Sequence, residues 1–255
     1  MKSTTASGVR NDSSTAASDK EVLHRVFSAL ETDAQLDMRR HPITLTFAEG
    51  VLSMDGELAN VAAKTRALRR AAAVPHVRWV VDRLRVEPGA HVEDGAIRDH
   101  VRDALLGDSA FQECRLVVQD GDSARTVFDP SGARGTIFVT VRDGIVTLDG
   151  NVPSLSHRRL AGALAWWNPG TRNVENRLGV TPPEEDNDGE ISDAVRLVLE
   201  KDPLVNAGQL RVRTNRACVT LSGVVHTDAE RDIAARDAWY VLGVDDVINA
   251  IEIYA

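Results

Sequence analysis

Residues 218–253, CVTLSGVVHTDAERDIAARDAWYVLGVDDVINAIEI, alternate apolar and polar side chains, break at Gly223, turn helical, and alternate again from Val247 to Ile253. Period-two alternation is the mark of a half-buried strand. Thr227-x-x-Glu230 is a capping box, which satisfies orphan N–H groups at a helix start. Gly243 sits where that helix should stop. Strand, helix and strand in this order form a βαβ crossover, so the two strands should lie parallel with the helix on one face of the sheet.

The same grammar occurs three times. A strand ends on Gly56 in VLSMDG, on Gly150 in IVTLDG and on Gly223 in CVTLSG. Thirty residues after each glycine stands a closing apolar residue, Val86, Val180 or Ile253. Between them Val80, Val174 and Val247 share a column, as do Asp82, Asn176 and Asn249, and Leu84, Leu178 and Ile251. Trp166 aligns with Trp239, and Gly170 with Gly243. Spacing kept over so many columns marks an internal repeat.

Upstream, Val22, Ile97 and Ile191 each precede an aspartate, Asp33, Asp108 or Asp202, by eleven residues. Ile191, Val195 and Val198 recur on one helical face, and Lys201-Asp202-Pro203 breaks that helix. Leu210, Val212 and Thr214 then alternate with Arg211 and Arg213, and Asn215-Arg216 turns the chain into the strand ending at Gly223. Copies one and two carry the hairpin signals Glu49-Gly50 and Asp143-Gly144 at this turn. The expected fold is α+β: three tandem α-β-β-α-β modules, each a small three-stranded mixed sheet covered by two helices.

Module one is expected over residues 19–87, module two over 93–181 and module three over 189–255, with an acidic linker at 182–188 and a disordered tail at 1–18. Module two holds 21 extra residues between its first helix and its first aligned strand. Leu116-Val117-Val118 and the turn residues Asp120-Gly121 and Pro130-Ser131-Gly132 read as a strand or hairpin plus a mobile loop. Modules of this size have marginal cores, so packing between modules or homo-oligomerisation is expected.

The columns quoted above, together with ISDAV from Ile191, VTLSGVV from Val219, Glu230-Arg231-x-x-Ala234 and the closing GVDDVINAIEI from Gly243, resemble the BON domain, a module of bacterial osmotically inducible and nodulation proteins. Copy one departs from the pattern at Asp82, where the family has Asn, and at His76, where it has Gly. The resemblance implies a module without catalytic residues or cofactor, linked to osmotic stress, phospholipid attachment and, in some members, a monovalent cation such as potassium held by backbone carbonyls. Members are often periplasmic.

Composition narrows the function classes. Formal net charge is −8, which argues against free nucleic acid as partner. Two distant cysteines, Cys114 and Cys218, make neither a CxxC motif nor a disulfide framework. The opening MKSTTASGVRNDSSTAASD has no apolar run like that of a secretory signal, so the expected compartment is the cytoplasm. GxSxG, P-loop, HExxH and strand-borne GxGxxG motifs are absent, and no histidine recurs at one column, so neither enzyme chemistry nor a metal site is expected.

Two features suggest a surface for an anionic membrane or another protein. Arg66, Arg69 and Arg70 form a basic stripe on an amphipathic helix, which a solvated helix face explains more readily than an anionic partner. Trp166-Trp167 and Trp239-Tyr240 are adjacent aromatic pairs, of which one member each should pack and the other lie near the surface. Packing between modules explains the aromatics more readily than interfacial anchoring. The repeated Asp33, Asp108 and Asp202 are expected as helix-end residues. Asn176 and Asn249, with Gly56, Gly150, Gly223, Gly170 and Gly243, are expected as structural positions of the repeat. The sequence thus points to a stress-associated binding or scaffolding protein that acts through its modules; the alternative is a cytosolic sensor of an ion or small ligand.

Overall fold

A computed structural model describes residues 19–121 and 123–254. The expected tail, residues 1–18, lies outside them. Module one runs α1 (Asp19–Glu31), β1 (Ile43–Ala48), β2 (Val51–Leu58), α2 (Val61–Ala72) and β3 (Trp79–Val86). Module two runs α3 (Asp94–Gly107), β4 (Cys114–Asp120), β5 (Ser123–Phe128), β6 (Gly135–Arg142), β7 (Ile145–Val152), α4 (Leu155–Trp166), β8 (Asn173–Asn176) and β9 (Gly179–Val180). Module three repeats the pattern of module one with α5 (Asp188–Lys201), β10 (Leu210–Asn215), β11 (Cys218–Val225), α6 (Asp228–Tyr240) and β12 (Asp246–Ile253).

The register of the three sheets follows the repeat. Leu52 pairs with Val80, Val146 with Val174 and Val219 with Val247, always in parallel across a helical crossover. The antiparallel partners meet through tight turns whose two central residues have positive φ: Glu49 and Gly50, Asp143 and Gly144, Arg216 and Ala217. These conformations match the twist of the flanking strands. Module three makes the turn without glycine. A Cβ on Gly150 would stand 2.1 Å from the carbonyl oxygen of Thr136 in β6, and one on Gly223 2.1 Å from that of Gln209 just before β10, so the column admits only glycine. Past the second helix, Gly170 and Gly243 take φ of 86° and 95°; in module one His76 adopts a φ of 74° instead.

Each crossover helix starts on a side-chain cap four residues after the strand glycine. Asn60 Oδ1 accepts from the Ala63 N–H, Ser154 Oγ from His157 and Thr227 Oγ1 from Glu230. The first helix of each module buries one face: Val22, Val26 and Leu30 on α1; Ile97, Val101 and Leu105 on α3; Ile191, Val195 and Val198 on α5.

The middle sheet is larger than the three strands expected. Its order is β5-β4-β6-β7-β8, with β9 also on β7, six strands in all. The insertion supplies two of the extra strands, β4 parallel to β6 and β5 antiparallel to β4, and the third arises because the closing strand pairs with β7 as two pieces, β8 and β9. The segment read as a strand or hairpin plus a mobile loop is thus a hairpin, with Ser123–Phe128 as its second strand. Leu116, Val117 and Val118 are buried because β4 lies inside the sheet, whereas β5, at the edge, is largely exposed.

The cores divide unevenly. Module one has its own apolar core, from Val22 to Leu84. Modules two and three share one continuous core, which runs from Ile97 through Leu160 and Leu164 to Val219 and Ile251. It is continuous because α4 packs on both α5 and α6.

Candidate functional site

The repeated polar residues turn out to be fasteners within each module. Asn176 donates its side-chain amide to the Arg158 carbonyl (2.6 Å) and accepts from the Leu178 N–H, tying the last strand to the crossover helix. Asn249 makes the same two bonds with Arg231 and Ile251. Module one has Asp82 here, which cannot donate. Its carboxylate instead accepts from Lys64 Nζ at 2.8 Å, and Lys64 occupies the column of Arg158 and Arg231. Asp33, Asp108 and Asp202 each accept the backbone N–H two residues on, closing the first helix.

A further column escaped the sequence reading. Asp94 accepts from the Asp143 and Gly144 N–H groups, and Asp188 from those of Arg216 and Ala217. Each pins a hairpin turn to the start of its first helix. The turn amides draw the Asp188 carboxyl below its ordinary range. The signal was available: Asp19, Asp94 and Asp188 all stand three residues before the repeated Val22, Ile97 and Ile191.

The residues singled out as a candidate membrane or partner surface meet at the junction of the modules. Arg66 pairs with Asp246 at 2.6 Å and lies over the Trp239 ring, 5.5 Å from its centroid. Arg69 donates to the Asp245 carbonyl at 2.8 Å. Arg70 turns inward in its own module, to Asp33. The basic stripe thus faces the acidic loop of module three and its own helix end. Trp166 stacks on Tyr240, with centroids 5.7 Å apart and planes at 10°. Trp167 Nε1 donates to Asp237 Oδ1 at 2.9 Å. All four aromatics are half-buried, so neither pair divides into a packed and a free member. The end of α4 packs against α6, which supplies a partner to each of its two tryptophans.

Other contacts complete the junction. Lys64 Nζ, nearly buried, donates to the Leu84 carbonyl, to Asp82 and across the boundary to Asn173 Oδ1, each at 2.8 Å. Burial pushes its pKa down against the pull of Asp82. The Val86 N–H donates to the Arg172 carbonyl, and Arg172 pairs with Glu57. Arg159, 2% exposed, bonds the Leu242 carbonyl and both oxygens of Asp186. The acidic linker is exposed yet clipped down at Asp186 and at Glu184, which accepts the Leu155 N–H.

Where the modules converge they leave a solvent-open cleft of about 620 Å³. Lys64 and Asp82 of module one, Trp166 and Asn176 of module two, and Tyr240 and Asp245 of module three are among its walls. Such a cleft offers aromatic faces and backbone groups for binding. Among the described residues no group of three or more His, Cys, Asp or Glu is placed to hold a metal, and no helix is long and apolar enough to cross a membrane.

No curated protein matches the chain. Two solved structures of CdsD, a structural protein of the type III secretion system of Chlamydia trachomatis, are similar to it. One, of the C-terminal domain, is 13% identical, with 92% of this chain and 98% of that one covered; the other is 14% identical, with 91% and 92% covered. The TM-score is 0.24 for both, too low to build on. The sequence model of the BON domain matches residues 18–88, 128–182 and 187–255. The middle match begins after the insertion, which separates α3 from the rest of its module, although α3 packs on β6 and α4 as α1 does on β1 and α2. With three matches over most of its length and one module architecture beneath them, the chain belongs to the BON-domain family.

Proposed function

We propose that this chain is a non-catalytic binding or scaffolding protein of the stress response, whose three modules act as one composite surface. The observation that carries this reading is the use of the most conspicuous basic and aromatic side chains to fix the modules to one another around a common cleft. Anionic phospholipid is the leading partner, in keeping with the family. Arg69 and Arg70, both about half-exposed, retain some surface charge. Basic residues near an anionic surface contribute ~1 kcal/mol each, decaying within a Debye length of ~8–10 Å. Sedimentation with anionic vesicles tests this: binding at low salt, largely lost near physiological salt and weakened by Arg69→Glu/Arg70→Glu, is the expected result. Equal pelleting of wild type and variant would remove these arginines from the contact.

The second reading, a sensor of a monovalent cation or small ligand, is favoured by the cleft itself. A thermal-shift screen with monovalent cations, divalent cations and anionic vesicles separates the two, because a ligand of the folded state raises the midpoint as RT ln(1 + [L]/Kd). A shift given by a soluble ion and lost in Trp166→Ala supports the sensor; a shift given by vesicles alone supports the scaffold.

A further inference from the structure

Asp237 lies on α6 with no exposed surface, at the boundary between modules two and three. One carboxyl oxygen accepts the Trp167 indole N–H from the end of α4. The other, Oδ2, is buried without a donor. The neighbouring carboxyl that acts on it is Asp202, at the end of α5, itself nearly buried and already accepting the Leu204 N–H. Two neighbouring carboxylates in so dry a boundary repel each other. A single proton between them removes the conflict: Oδ2–H of Asp237 donates to Asp202, and Oδ1 stays free to accept from Trp167.

We propose that the Asp202–Asp237 pair beneath Trp167 is a proton-operated latch between modules two and three, closed when the pair shares a proton and loosened when both groups are ionised. The other charged and titratable groups around it do not supply a counter-charge at the bare oxygen. Lys201 on α5 is held by Asp108 of module two at 2.9 Å. On α6, Arg236 is exposed and exerts a weaker, opposing pull, while Tyr240 is itself kept neutral by burial. From α4 the group in contact is the neutral Trp167 indole.

Burial first, and the neighbouring Asp202 against the opposing pull of the Trp167 hydrogen bond, push Asp237 up from 3.8 to about 7. A carboxyl raised in the folded state retains a proton there that the unfolded chain has already released. Stability therefore falls as pH rises from about 4 to about 7 and levels off above. The latch releases near neutrality. Trp167 also packs against the shared core, and its neighbour Trp166 stacks on Tyr240 in the wall of the cleft. Release would thus widen the cleft, a pH control that lies beyond the binding function proposed above and does not depend on the identity of the ligand.

The test follows the Trp167 indole N–H resonance of the full chain, assigned through Trp167→Phe, from about pH 5.5 to about pH 8.5. The expected result is one titration near neutrality that Asp237→Asn abolishes, since Asn donates and accepts as the protonated acid does. Asp202→Asn should move the midpoint downward by about one unit or more, because the like charge is gone. A wild-type resonance without titration, a titration that survives Asp237→Asn, or a midpoint unmoved by Asp202→Asn would overturn the proposal. So would failure of Asp237→Asn to fold, since this variant imitates the closed state.

Discussion

At the residue scale the molecule rests on a few side chains that solve the same problem in each module. Asn176 and Asn249 each fasten the last strand to the crossover helix by donating to a helix carbonyl and accepting a strand N–H. Asn176 is half-buried and Asn249 exposed, so water replaces the lost partner more easily at Asn249. Urea unfolding should show Asn176→Ala costing about 1–2 kcal/mol and Asn249→Ala less than about 1 kcal/mol; the reverse order would deny that burial sets the difference. Module one replaces the amide bond with the Lys64–Asp82 ion pair. Removing one partner of a nearly buried pair strands the other charge. Asp82→Asn and Lys64→Met should each destabilise by about 1–3 kcal/mol, while the double variant costs less than their sum by on the order of 1 kcal/mol. Strict additivity would show that the two groups do not act together. These positions were legible as columns in the sequence, but their bonds were not, because an Asn at a fixed offset does not reveal whether it holds a helix or a ligand.

At the scale of elements, the thirty-residue half of each module could be read directly, because strand, cap, helix and closing strand keep one ungapped spacing from Gly56, Gly150 and Gly223. The insertion could not, having no counterpart against which to set its register. Its Leu116-Val117-Val118 run was visible, yet the parallel pairing of β4 with β6 depends on a chain reversal that no local residue specifies. This hairpin divides into a structural strand and a shielding one. Leu116→Ala should cost about 2–4 kcal/mol by opening a cavity in the core shared with module three. Thr126→Ala, on exposed β5, should stay within about 0.5 kcal/mol. Small, equal losses at both positions would place the insertion outside the core. The aromatic pairs were legible as packing residues, but not their partners: a helix face of arginines looks the same in sequence whether it meets water or the Asp245-Asp246 loop of another module.

At the scale of the whole molecule, two kinds of junction hold three copies of one module. Modules two and three are joined by continuous apolar packing. Module one is attached through polar contacts, Lys64 to Asn173, Arg66 to Asp246 and Trp239, Arg69 to Asp245 and Arg172 to Glu57. Ion pairs at such a boundary are individually weak and screened by salt, whereas the shared core is not. Native-state amide exchange, read module by module, tests this most directly, since residues that open together share one opening free energy. Amides of β7, α4 and β11 should report one common value, and those of β1 and β2 a lower one that falls further with added salt or in Arg66→Glu. Separate values for modules two and three, or a module one that opens together with them and is indifferent to salt and to Arg66→Glu, would contradict the arrangement.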